Sequence, residues 1–439
     1  MKIAIVGGGF TGLSAAYYLQ KTGHNSHIFE NASYLGGLAA GVKSTLSNPP
    51  ENWEWDLEQF YHHWFTNDNF VFELGEDIGV TDKFKIKGPR TDVLYDDKMY
   101  PLDSPLALLK FPHLSFVERI RTGMTMAKLK YLYNEASSDV FENVTAAEYL
   151  QNRSSKDAYE KIWKPLLVGK FGQEYDQVNM RWFWARIYKR TPKLAYYEGG
   201  FGAFANDIAE AVRRNNGSID LNVRVEEIVR CDTCNGFHVK RQGFENTHEE
   251  VFDRVIVTTP PQTLQYFYPE LPEAYKQSLR KHEGVGAFAL VLRLHHQLMP
   301  ETYWLSINET SWPFLAVVEH TNFMPKDKYG GENILYVGDY VQPDHPNMQK
   351  SKEELIADFT PYLKRINPLF SSESIIDSYL FKTNYAQPIP KLNHERHILP
   401  LTTPVEGLYL ASMAQVYPWD RGTNYAIEMG KEVAGMISN

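Results

Sequence analysis

Four residues near the start of the chain have the types and spacing of a phosphate cradle. Gly7, Gly9 and Gly12 fit G-x-G-x-x-G, and Glu30 follows 18 residues after the last of them. Glycine at position 7 permits a tight turn, at 9 lets backbone approach a pyrophosphate, and at 12 lets a helix sit close to a sheet. Phe10 and Thr11 fall where a helix N-terminus turns its unpaired N–H groups toward phosphates. A carboxylate at Glu30, with Asn31 beside it, suits a ribose 2′-OH and disfavours a 2′-phosphate, and so NADP. The chemistry these residues serve is dinucleotide binding.

The flanking elements fit that purpose. Lys2 to Val6 is a short β-branched run without helical period, which predicts a buried strand. Leu13 to Thr22 has the composition of a helix, closed by Gly23. His27 to Phe29 reads as a second strand that ends at Glu30. Strand, glycine turn, helix and strand predict an α/β fold of Rossmann type.

Asn31 to Gly41 reads NASYLGGLAAG, with the doublet Gly36-Gly37 just after the acid. Here the chain resembles the flavoproteins of the amine oxidase, protoporphyrinogen oxidase and phytoene desaturase superfamily. In that family the doublet's loop runs past the FAD phosphates. The family usually has Arg next, where this chain has Leu38. Trp53 to Thr66 reads WEWDLEQFYHHWFT and looks like the H-x-x-H-T stretch of UDP-galactopyranose mutases. His62 and Thr66 fall on that pattern, while Phe65 stands at its second His. The resemblance implies that His62 or His63 faces the flavin or substrate.

Further along, Tyr197-Glu198-Gly199-Gly200-Phe201 resembles the family's glycine pair before a helix. The strand expected after it, Ile219 to Val225, carries Val223, the position whose backbone meets adenine in the family. Ser378 to Pro390 resembles a strand returning toward the flavin, with Lys382 and Tyr385 as its polar candidates; some relatives use a lysine–water contact at flavin N5. Gly407 to Ser412, Met413, and then YPWDRGTNY over 417–425 resemble the family's ending. There Gly422, Thr423 and Asn424 would bring a helix N-terminus to the flavin's O2/N1 side. Arg421 would supply positive charge there or pair with Asp420. No Cys or His stands at the family's covalent position, so FAD is expected to bind noncovalently.

The 439 residues suit two or three domains. Net charge is −9, so no nucleic-acid partner is expected. Aromatics make up 14% of the chain, enough for a roomy aromatic-lined pocket. No apolar run approaches the roughly 20 residues a membrane span needs. Cys231-Asp-Thr-Cys234, the only two cysteines, falls at a hairpin turn without a metal-ligand set. No metal is expected, and the cytoplasm is the expected compartment.

Ser115 and Glu118 form a capping-box pattern before a helix whose Phe116, Ile120, Met124, Ala127 and Tyr131 share one face. Arg119, Arg121, Lys128 and Lys130 decorate it. A basic amphipathic helix can rest on an anionic membrane; the plainer expectation is a domain helix with a solvated basic face. Arg181, Arg186, Lys189 and Arg190, among Trp182, Phe183 and Trp184, suit either an anionic substrate or simple packing.

The resemblance implies an FAD domain in three pieces, 1–66, 195–280 and 375–439. An inserted α+β substrate domain would comprise 67–194 and 281–374, helical over 104–190 and sheet-like over 281–345. The expected activity is oxidation of a small molecule by hydride transfer to flavin N5, by a monomer or homodimer. The alternative is a mutase-like action on a sugar nucleotide without net oxidation. A third reading, a flavin-free binding protein like the relatives that escort small GTPases, conflicts with the intact glycine motif and Glu30.

Overall fold

The computed structural model describes residues 1–438 apart from 47, 48, 232 and 243–249. Strand Lys2–Val6 lies at the centre of a five-stranded parallel sheet. Asn25–Phe29 and Arg254–Val257 flank it, with Ser218–Asp220 and Leu408–Leu410 at the edges. Successive side chains point to opposite faces, and both faces are covered. Ile3 and Ile5 join the core under helix Phe10–Lys21 and the closing helix Thr423–Ser438. Ala4 and Val6 join a second core under the antiparallel meander Val225–Arg230, Phe237–Arg241 and Val251–Phe252. From the first strand the chain moves to one side, then returns to the other at Arg254–Val257. The order therefore reverses at the C-terminal end of Lys2–Val6, where ligands of open α/β sheets sit.

A seven-stranded mixed sheet forms the second layer system. Its order is Ile375–Pro388, Gly284–Leu294, Asn333–Val341, Ala316–Glu319, Thr302–Ile307, Arg90–Tyr95 and Lys98–Pro101. The last two strands form a hairpin, turned by Asp96 and Asp97 at φ 53° and 57°. Strand Ile375–Pro388 runs antiparallel along Gly284–Leu294 at the sheet's edge. One face of this sheet meets the first core, and the other packs on helix Lys352–Ile366.

Several expectations need correction. The strand expected over Ile219 to Val225 is broken: Ser218–Asp220 belongs to the parallel sheet and Val225–Arg230 to the meander, with Asn222 at φ 58° turning between them. Cys231 and Cys234 form a disulfide across the predicted turn, so the cysteines do pair, though only locally. The helix after Ser115 has its capping box, over Phe116–Tyr131. Its apolar face is turned outward: Thr122, Thr125 and Leu129 are the residues it buries. Among the described residues no helix is long and apolar enough to cross a membrane.

Glu58 joins the mixed sheet to the start of helix Phe201–Arg214. Its buried carboxyl accepts from the Tyr196 hydroxyl at 2.9 Å and from the Phe201 N–H at 2.6 Å, at the start of helix Phe201–Arg214. Its backbone carbonyl accepts from the Tyr336 hydroxyl of the large sheet at 2.6 Å. Burial raises this carboxyl to about 8, against the lowering effect of its hydrogen bonds. An acid protonated in the folded chain up to about pH 8, but ionising near 4.5 when unfolded, favours the fold fully below 4.5. That contribution is lost as pH rises toward 8. Thermal melts of wild type and Glu58→Gln, which keeps the acceptor without the titration, check this: wild type should lose stability relative to the variant between pH 5 and 8, and a pH-independent difference would contradict it.

Candidate functional site

The glycine turn lies at the reversal point of the parallel sheet. A Cβ at Gly12 would stand 2.0 Å from the Gly7 carbonyl, so only glycine lets the helix start this close to the strand. A Cβ at Gly9 would meet nothing nearer than the Gly37 Cα at 3.9 Å and would project into open space at the mouth of the turn. Gly36 (φ 104°) donates its N–H to the Gly8 carbonyl at 3.0 Å, which draws the doublet and Leu38 against the first turn. Glu30 accepts the N–H groups of Gly8 and Ala32, both at 2.7 Å. A carboxylate offers about four lone-pair positions, so two remain for ribose hydroxyls. Asn31 beside it is exposed.

Phe10 and Thr11 sit at this turn with their side chains buried; Phe10 packs against Phe204 at 5.9 Å. They offer backbone rather than side chains. Val223 also reaches the site, but its N–H donates to the Glu30 carbonyl at 2.9 Å. Only its carbonyl and side chain are left to face a ligand. Met413, half-buried, opens the turn after strand Leu408–Leu410, at the same C-terminal end of the parallel strands.

The closing helix begins at Thr423. The Thr423 hydroxyl accepts from Trp64 Nε1 at 2.5 Å, and Asn424 Oδ1 accepts from the Val71 N–H at 3.2 Å. These side chains fasten the helix to its neighbours, contrary to a direct side-chain contact with a cofactor. The N–H groups of the first turn have no acceptor within the helix. A Cβ at Gly422 would have nothing within 4 Å, so space stands open before them. The donors, the ribose carboxylate and the open glycine mouth fit a bound dinucleotide.

A second set of residues gathers beside that helix end. Tyr61, His62 and His63, from the aromatic stretch, lie deep among protein atoms yet keep part of their surface open, as residues lining a cleft do. Burial, then the Arg421 charge, holds His62 down at about 4. His63 is held at about 3 by burial and then by the Arg190 charge. Both imidazoles are neutral near pH 7 and act as hydrogen-bonding groups there. His62 Nδ1 lies 2.5 Å from the Phe60 carbonyl and His63 Nδ1 lies 3.2 Å from the Tyr303 hydroxyl. The first pairing makes Nδ1 the protonated nitrogen of His62 and leaves Nε2 as acceptor.

Arg421 donates to the Tyr340 hydroxyl at 2.7 Å, and its Nε is buried without a partner. It does not pair with Asp420. That carboxylate is bound by Lys170 at 2.8 Å and by Arg186, with Trp182 Nε1 at 3.4 Å. Burial works to raise Asp420, but Lys170, Arg186 and Arg421 together hold it below the usual carboxylate range. Burial pulls Lys170 down to about 7; Asp420 opposes this, while Arg186 and Arg421 assist. Burial dominates at Lys170, whereas at Asp420 the three surrounding cations outweigh it. Asp339, next to Tyr340 on strand Asn333–Val341, is held well above its usual range by burial.

Two expected residues are elsewhere. Lys382 donates its ammonium to the carbonyls of Met348 and Lys350, at 2.9 and 2.5 Å. It shares the strand face of Leu380, which packs on the far core, and alternates with Phe381, which meets the first core. Lys382 thus points away from the site. Arg181 is buried in ion pairs with Asp139, Glu142 and Glu395. Arg186 and Arg190, five and nine residues on, do reach the cleft: Arg190 is deep, yet much of its surface stays open. The sequence reading missed Lys170, Asp339 and Tyr340. Their only signal was a charged or polar residue within an otherwise apolar run, as with Asp339 after Tyr336-Val337-Gly338.

The comparisons agree with this geometry. Residues 10–438 match the model of the flavin containing amine oxidoreductase family, and the chain belongs to that family. Membership implies a flavin cofactor, FAD. The chain is 20% identical over 311 residues to coproporphyrinogen III oxidase of Staphylococcus aureus (strain NCTC 8325 / PS 47), covering 62% of this chain and 63% of that protein, short of two thirds of its length. A protein provisionally named protoporphyrinogen oxidase, from Exiguobacterium sp. 255-15, superposes with TM-score 0.76 at 18% identity, over 100% of this chain and 98% of its own. Reduced UDP-galactopyranose mutase superposes with TM-score 0.73 at 14% identity, over 99% and 95%. At these identities the likeness establishes the fold, a parallel sheet with a mixed-sheet second layer.

Asp420→Asn leaves the buried Lys170 and the half-buried Arg186 and Arg421 without their counter-charge and should cost about 3 kcal/mol. Adding Lys170→Met should recover part of that loss, because it removes the most buried of the three. Chemical denaturation of both single variants and the double variant gives the coupling; strictly additive losses would contradict a shared cluster.

Proposed function

We propose that this chain is a noncovalent FAD-dependent oxidoreductase acting on a small organic substrate with an anionic group. The observation that carries the reading is Arg421: a cation with a buried, unpartnered Nε, one residue before the open glycine and the first turn of the closing helix. A cation and a row of free N–H groups at one place suit a ring that gains negative charge, or an anion held beside it. Bound FAD would supply the hydride acceptor that no side chain here can supply.

The chain's own residues would do the rest. Gly7, Gly9, Gly12 and the Gly36-Gly37 doublet would admit the pyrophosphate, and Glu30 would hold the ribose. Tyr61, T-stacked on Trp304 at 4.9 Å and on Tyr336 at 5.8 Å, would wall the cleft against water. His62 Nε2 would accept a hydrogen bond from substrate. Arg186, Arg190 and Lys170 would attract its anionic group. Charge on Lys170, which ionises near 7, would favour that binding below neutral pH and weaken it above.

A second reading is favoured by one observation. The paired histidines and the arginines at 186 and 190 flank one cleft, as a nucleotide diphosphate site would need. A mutase-like enzyme would act only with reduced flavin and leave no net oxidation.

Purified protein should be yellow and release FAD into the supernatant on acid precipitation. Glu30→Arg, which sets a cation against the ribose site, should lower bound FAD at least tenfold at equal folding. Flavin that stayed with the polypeptide would contradict noncovalent binding, and undiminished FAD in the variant would contradict the role of Glu30. Anaerobic mixing with candidate amines, porphyrinogens and sugar nucleotides separates the two readings: an oxidoreductase substrate bleaches the flavin, whereas a mutase turns over only after dithionite reduction.

A further inference from the structure

The helix Phe116–Tyr131 is amphipathic in the wrong sense for a helix of a water-soluble surface. At about 100° per residue, Phe116, Val117, Ile120, Met124, Ala127 and Tyr131 fall within an arc of about 100°. That arc faces outward: Phe116 is 68% exposed, Val117 73%, Met124 56% and Tyr131 79%. The inward side buries Leu129 and two threonines, Thr122 with its hydroxyl buried and unpaired, and Thr125 bonded to the carbonyls of Arg121 and Arg153. Burying hydroxyls while exposing large apolar side chains is the reverse of what water favours, and it is favourable only where something apolar covers the outer face.

The patch extends onto the preceding helix, Pro105–Lys110, through Leu106 (61% exposed) and Leu109. Arg119 fastens the two helices together by donating to the carbonyls of Leu109 and Leu114, both at 2.8 Å. Basic residues border the stripe on both sides. By the same angular count, Arg121 and Lys128 lie along one margin, and Arg119 and Lys130 along the other. Over residues 105–133 there are five Lys or Arg (110, 119, 121, 128, 130) and one acid, Glu118, whose carboxylate is engaged in the capping box. Five minus one gives +4 in a chain whose total is −9.

We propose that this face docks on an anionic lipid bilayer, with the apolar stripe in the headgroup–acyl boundary and the basic side chains not tied to backbone carbonyls, Lys110 and Lys128, on the lipid phosphates. The charge decides among occupants. A second copy of the chain would set one +4 face against another, whereas an anionic surface complements both the stripe and its margins. The helix also ties the surface to the cleft: Lys130 donates to the carbonyls of Tyr188 and Arg190, both at 2.7 Å. The wall that carries Arg186 and Arg190 is thus one helix away from the docked plane.

The test is co-sedimentation of the purified holoprotein with vesicles of phosphatidylcholine alone and with 30% phosphatidylglycerol added. The wild type should pellet with the anionic vesicles and stay in solution with the neutral ones. Phe116→Ser/Val117→Ser/Met124→Ser, all at exposed positions, should stay in solution with both, with unchanged FAD content and melting temperature. Lys110→Gln/Lys128→Gln should weaken binding by roughly fivefold for each charge removed. Wild type that remains in solution with both vesicles overturns the proposal, as does a triple variant that binds equally well. A wild-type dimer split by the triple variant, with no vesicle binding, overturns it in favour of a second copy as the cover.

Discussion

One carboxylate among three cations sets the character of the site. Asp420 lies between the helices over 164–189 and the closing helix, and it holds Lys170 and Arg186 of those helices. Without it those helices would present uncompensated charge to the cleft. With it the balance is still positive, because Arg421 is left over and its Nε has no partner. Burial is the main cause of the other shifts nearby, and the neighbouring cations add to it: Lys170 ionises near 7, and His62 and His63 are uncharged at pH 7. The surplus cation makes the cleft a place for negative charge, whether on a ligand or on a reduced ring.

Glu58 supplies the second constraint, of a different kind. Its carboxyl is neutral, and its bonds join the aromatic stretch, the start of helix Phe201–Arg214 and the large mixed sheet. The cofactor cradle belongs to the parallel sheet and the cleft wall to the mixed one. Their relative position therefore depends on this joint, which keeps Tyr61, His62 and His63 between them.

The cradle was legible because its chemistry is local. Gly7, Gly9, Gly12 and Glu30 lie within one strand–turn–helix–strand unit, and their roles follow from backbone geometry that spacing alone can specify. The cap signal, Ser115 with Glu118, was readable for the same reason. The cleft was harder, because Lys170, Asp339 and Asp420 come from distant segments and meet only after two layers have packed. Lys382 was misplaced by a single property, the two-residue period of a strand, whose phase the sequence did not mark. The side chains of Thr423 and Asn424 hold Trp64 and Val71, a tertiary demand that no motif records. The outward turn of the Phe116–Tyr131 stripe was hidden too: periodicity shows that a helix has an apolar face, and only packing shows which way it points.

The claim that most of this rests on is that Arg421 sets positive charge against the flavin as it takes up electrons. The direct measurement is the midpoint potential of protein-bound FAD in wild type and in Arg421→Gln, at equal cofactor occupancy. Loss of the cation should make the reduced form harder to reach, lowering the two-electron potential by roughly 30 mV or more, about a tenfold change in the equilibrium. An unchanged potential would mean that Arg421 faces away from the ring and that the site's charge serves only the surrounding protein.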